Sequence, residues 1–207
     1  MKLTREEAAL ARMAGIATRA DRPSQRRCAE FAGSAARVTM RSQIELRAKA
    51  DASTLEFDGY ASVTESAYEM WDMWGPYTEI ITNGAFADTL ARADLDVPLV
   101  LQHEQLRRIA RTTNGSLTLT EDDHGLRVLA TLDPADTDVA YIAPKLRSGL
   151  IDEMSFAFRI DAGQWSPDYT EYRINQYDIH RGDVAIVGYG DEDESDGTTD
   201  GKTGETP

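Results

Sequence analysis

The 207-residue chain has little of what staples small folds or binds soft metals. Cys28 is its only cysteine, so an intramolecular disulfide and a cysteine-rich metal site are both excluded. No apolar run approaches the ~18 residues of a membrane-spanning helix. Met1 to Ala20 carries Arg and Glu throughout, so no signal peptide is expected and the protein should stay in the cytoplasm of the cell that makes it. The nucleophile-elbow pattern Gly-x-Ser-x-Gly surrounds none of the serines. Glycine loops of the Walker or dinucleotide type are missing, and His103-Glu104 has no second histidine at the spacing of a helical zinc protease. Basic residues are scarce in the centre: residues 51–190 hold 10 Lys/Arg against 24 Asp/Glu. Phosphate repulsion then argues against nucleic acid as the main partner.

What is present divides the chain into three. Residues 1–36 read as a basic helical or loosely ordered arm, in which Thr4 and Glu7 form a capping box ahead of an alanine-rich run. Residues 191–207 hold 7 acids against one Lys and no large apolar side chain, which predicts a disordered acidic tail. Between them, residues 37–190 read as one folded domain.

Within that domain the period is mostly two. Val38–Ala48 and Leu55–Val63 alternate as strands, joined by a turn at 51–54. A loop rich in aromatics follows (Tyr68, Trp71, Trp74, Tyr77), then a short helix at Ala85–Ala91. VPLVLQH (97–103) is an apolar strand ending in a histidine, and Leu117–Thr120 and Leu126–Leu132 flank a hairpin turn. A helix capped at Asp136 or Thr137 runs to Gly149, with Pro144 expected to kink or shorten it. IDEMSFAFRI (151–160) is a strand, with two more at Thr170–Gln176 and Asp183–Val187. The fold class is α+β: a mostly antiparallel, barrel-like β domain with a few surrounding helices.

Two polar residues stand where apolar ones are expected. His103 ends an apolar strand, and Ser155 sits inside another, on the face it shares with Ala157. Taken singly, each reads as readily as a packed or backbone-capping residue. As a pair they suggest nucleophilic catalysis, since a serine hydroxyl needs an imidazole to take its proton. A third group must orient that imidazole; Asp178, His180 and Asp183 are the candidates. His124, at a hairpin turn between Asp123 and Gly125, reads as structural.

Five ordered segments remain: IELRAKADASTLEFDGYASV (44–63), YTEIITNGAF (77–86), VPLVLQHE (97–104), LRSGLIDEMSFAF (146–158) and DIHRGDVAIVGYG (178–190). In order and spacing they resemble the prohead (capsid-maturation) serine proteases of tailed bacteriophages, a family sharing a fold with herpesvirus assemblins. The resemblance implies a herpesvirus-assemblin-like fold, with His103 as general base and Ser155 as nucleophile. The acidic slot of the closing strand falls on Asp183; a second histidine in that role, as in the herpesvirus enzymes, keeps His180 open. It implies no metal or organic cofactor. The implied substrates are the scaffolding segment, the amino-terminal extension of the major capsid protein and the protease itself, cut inside the assembling prohead in the host cytoplasm. Herpesvirus relatives act as dimers, so a homodimer is within the expectation. Backbone amides near Arg181-Gly182 are candidate oxyanion donors. The rival reading is a non-catalytic scaffold or assembly protein that retains the fold. A small-ester hydrolase is a third, disfavoured by the missing elbow motif.

Overall fold

The computed structural model describes residues 3–23, 36–41, 44–48 and 53–188, with side chains left out at 36–41. Strand makes up 48% and helix 18%, which sets the class as α+β. The tail at 191–207 lies outside the described residues, as does Cys28. Among the described residues, no helix is long and apolar enough to cross a membrane.

The strands are β1 (Ala36–Arg41), β2 (Glu45–Ala48), β3 (Leu55–Val63), β4 (Ala67–Asp72), β5 (Gly75–Ile81), β6 (Pro98–Leu101), β7 (Arg108–Arg111), β8 (Leu117–Glu121), β9 (Gly125–Leu132), β10 (Glu153–Trp165) and β11 (Glu171–Val187). Helices α1 (Arg5–Gly15), α2 (Ala87–Leu90) and α3 (Thr137–Arg147) accompany them. One sheet runs β1-β10-β11-β5-β4, with β6 added beside β11 and β7 beside β6; the other runs β2-β3-β9-β8. β3 lies against β10 and β1, and apolar residues of both sheets form one main core, apart from a small cluster of Val100, Ala185 and Val187. The sheets do not close into a barrel, contrary to the barrel-like expectation. Edge strands β4 and β7 of the first sheet pair with no described strand of the second.

The stretch read as one strand over 38–48 is two, β1 on β10 and β2 on β3. A period of two reports extended backbone and not which sheet it joins. The aromatic loop is the β4–β5 hairpin, with Met70 opposite Tyr77 and Trp71 opposite Pro76 around Gly75 at φ +132°. Helix α3 is capped by the Asp136 carboxylate, which accepts from the Asp138 and Val139 amides, and it ends within one turn of Pro144. The two strands expected at 170–176 and 183–187 are halves of the continuous β11.

The amino-terminal segment packs on this body. The Thr4–Glu7 capping box forms, with each side chain bonded to the other residue's amide. Arg12 is fully buried, bidentate on Asp72 at 2.8 and 2.9 Å, and it donates to the carbonyls of Gly75, Pro76 and Tyr169. Its guanidinium sits 5.0 Å from the ring centroids of both Tyr77 and Trp165. Arg19 continues the attachment along β10, trading two hydrogen bonds with the Trp165 backbone.

Candidate active site

Three neighbouring strands, β6, β11 and β10, bring His103, Asp183 and Ser155 together. Ser155 on β10 lies opposite Ala185 on β11, and Ala185 lies opposite Val100 on β6. Ala157 lies opposite Asp183, so small side chains leave space above this part of the sheet. β6 ends at Leu101, and the next two residues take left-handed backbone, Gln102 at φ 51° and His103 at φ 56°. Such conformations cost a non-glycine residue roughly 1 kcal/mol or more and persist only where neighbours enforce them. Here the Gln102 amide donates to the Ile186 carbonyl at 3.0 Å, and the Gln102 side-chain oxygen accepts from the Gly188 amide at 3.0 Å. The kink delivers the His103 ring to Ser155 instead of letting it continue along the strand.

His103 Nδ1 lies 2.6 Å from Asp183 Oδ1, and its Nε2 lies 2.9 Å from Ser155 Oγ. A carboxylate only accepts, so Nδ1 carries the ring proton and Nε2 presents its lone pair to the hydroxyl. The site is closed: Ser155 is 0% exposed and Asp183 3%. On its other side β10 is flanked by β1, with Thr39 as the register partner of Ser155.

The other two candidates for third member lie elsewhere. β11 bulges just before Asp183: Ala157 and Arg159, two residues apart on β10, face Asp183 and Asp178, five apart on β11. Asp178 anchors that bulge, accepting from Arg159 at 2.7 Å, from the His180 amide at 2.8 Å and from the Thr89 hydroxyl at 3.2 Å. Burial works to raise its pKa; the Arg159 bond and charge, the His180 amide and Thr89 outweigh it and hold the carboxyl below its ordinary value. The His180 ring turns to the Asp94–Val97 loop, where Nδ1 accepts from the Asp96 amide at 3.2 Å. Gly182 has its own constraint, because a Cβ there would fall 2.0 Å from the Ala157 carbonyl oxygen. The Arg181 amide, one of the candidate oxyanion donors near Arg181-Gly182, already donates to the Asp96 carbonyl at 2.9 Å and is not free for that role.

Gln105 escaped the sequence reading. Its side-chain amide donates to Asp183 Oδ2 at 2.6 Å, from the turn between β6 and β7. The signal lay in recognising RIAR (108–111) as a strand, which would have folded residue 105 back toward His103. Among the described residues, no cluster of three His, Cys, Asp or Glu side chains could hold a metal ion.

A hydroxyl aimed at an imidazole that a buried carboxylate braces is the arrangement serine hydrolases use. The α+β scaffold around it, with its serine on a strand, differs from the elbow-bearing hydrolases. The chain belongs to the caudovirus prohead serine protease family, whose model matches residues 42–202. It is thereby a serine protease of bacteriophage capsid maturation. The match leaves out α1 and β1. No curated protein and no solved structure matches the chain.

Proposed function

We propose that Ser155 is the nucleophile of this protease, His103 its general base and Asp183 the group that orients and charges-balances the imidazole. The observation that carries this reading is the unbroken Ser155–His103–Asp183 hydrogen-bonded chain at 2.9 and 2.6 Å. In the proposed reaction, Nε2 takes the hydroxyl proton as Oγ adds to the peptide carbonyl carbon. The imidazolium then gives that proton to the leaving amine, and the acyl-enzyme is released by water through the same base. Asp183 keeps Nδ1 protonated throughout and stabilises the imidazolium. Because Ser155 has no exposed surface, a substrate carbonyl reaches Oγ only when the covering groups move.

As substrates we propose the scaffolding segment, the amino-terminal extension of the major capsid protein and the protease's own chain, cut inside the assembling prohead; membership of the prohead protease family supports this reading. Kinship in fold with the herpesvirus assemblins belongs to the same proposal. Co-expressing wild type or Ser155→Ala with the cognate capsid and scaffold proteins tests it. Wild type should convert the precursors to shorter fragments and the variant should leave them whole; identical fragment patterns would overturn the assignment.

A further inference from the structure

Asp183 has two oxygens, and His103 uses one. The second, Oδ2, accepts from Gln105 Nε2 at 2.6 Å. The Gln105 amide is held from behind, because its Oε1 accepts from Arg108 Nη2 at 3.1 Å and its backbone carbonyl accepts from Arg108 Nε at 2.7 Å. With a donor already on its oxygen, that amide presents its NH2 to Asp183. The turn beneath is tied down as well. The Glu104 amide donates to Leu101, the Arg107 amide donates to Glu104, and the Arg107 guanidinium holds Asp138 of α3 at 2.7 Å.

We propose that Gln105 is a positioning residue of this protease, fixing Asp183 so that Oδ1 meets His103 Nδ1. A carboxylate's terminal torsion is broad and roughly two-fold, so one hydrogen bond to His103 does not by itself define its plane. The second bond from Gln105 does, and it disperses part of the charge that would otherwise fall on Oδ1. The inference rests on the reading of Ser155, His103 and Asp183 as the catalytic set. Gln105 itself stays outside that set and is exposed at the turn, so substitutions there leave the core untouched.

The test is the pH dependence of Ser155 phosphonylation by a fluorophosphonate, in the full-length chain and in Gln105→Ala, Gln105→Glu and Gln105→Lys. Gln105→Ala should slow labelling about tenfold or more, as loss of an outer-shell orienting bond does elsewhere. An acid beside Asp183 favours the imidazolium, so Gln105→Glu should move the acid limb of the profile up by about 0.5 to 1 pH unit, and Gln105→Lys should move it down. Other charges on the flanking elements include Glu104 and Arg107 on the turn, Arg108 and Arg111 on β7, Asp138 on α3, Asp178 and Arg181 on β11, and Glu153 and Arg159 on β10. They are common to all variants, so opposite displacements belong to position 105. Wild-type rates and limbs in all three variants would overturn the proposal, as would slowed labelling with a limb that ignores the sign of the new charge. Labelling that persists in Ser155→Ala would instead overturn the catalytic assignment on which it rests. Matching thermal melts confirm that each variant is folded.

Discussion

In an Asp183→Asn variant the side chain keeps its shape and loses its charge, and its neighbours decide which way the new amide faces. Gln105 Nε2 donates to the Oδ2 position at 2.6 Å, so the Asn oxygen stays there. The Asn NH2 is then turned toward His103 Nδ1, where a carboxylate oxygen sat at 2.6 Å. To meet a donor, Nδ1 must give up its proton, and the ring proton moves to Nε2, 2.9 Å from Ser155 Oγ. A protonated Nε2 cannot accept from the hydroxyl, so the base is lost although every atom remains in place. Wrong-tautomer variants of such triads lose about 10⁴ in turnover, equivalent to about 5 kcal/mol of transition-state stabilisation. A gel time course of capsid-precursor cleavage reads this loss. The double variant Gln105→Ala/Asp183→Asn frees the amide to rotate its oxygen toward His103 and should recover about tenfold or more of that loss. Cleavage by Asp183→Asn within tenfold of wild type would refute the reasoning.

Two further perturbations test the scaffold. Arg12→Ala leaves Asp72 buried without its cation, a loss of about 3–5 kcal/mol, which lowers the melting temperature by roughly 10 °C for a chain of this size. Arg5→Ala breaks the exposed pair with Glu69 and should cost under about 1 kcal/mol, so equal melting of the two variants in calorimetry would contradict the docked helix. Asp178→Asn removes the charge that holds the β11 bulge and should cost about 1–2 kcal/mol at pH 7. The Asp178 pKa lies below its ordinary value of 3.8, so this contribution is present above about pH 4 and fades as pH falls through the folded-state value. Urea melts of wild type and variant should therefore converge in acid; a gap that stays constant below pH 3 would count against the assignment.

Elements marked by local pattern were legible in the sequence. Leu55–Val63 alternates and is β3 with the same bounds, and Asp136 caps α3 where a capping residue precedes a helical pattern. Ser155 and His103 stood out because each interrupts an apolar strand, and the geometry brings both together with Asp183. What the sequence hid depends on long-range pairing. Nothing local says that Ala36–Arg41 and Glu45–Ala48 join different sheets, or that the aromatic-rich stretch at 68–77 is a hairpin that buries Tyr77. Arg12 read as one of many arm cations, since its partner Asp72 lies 60 residues away. Gln105 was invisible for the same reason, because only the β6–β7 turn brings it to Asp183. Asp178, His180 and Asp183 shared a short stretch, and a bulge that no period reveals sends only one of them to His103.

The most direct test is active-site labelling, which needs no knowledge of where the enzyme cuts. The purified full-length chain is treated with a fluorophosphonate, digested, and searched by mass spectrometry for the adduct. A single phosphonyl group on Ser155, lost in Ser155→Ala and in His103→Ala, is the predicted result. An adduct on another serine, or labelling of Ser155 that proceeds at the wild-type rate without His103, would contradict the proposed chemistry.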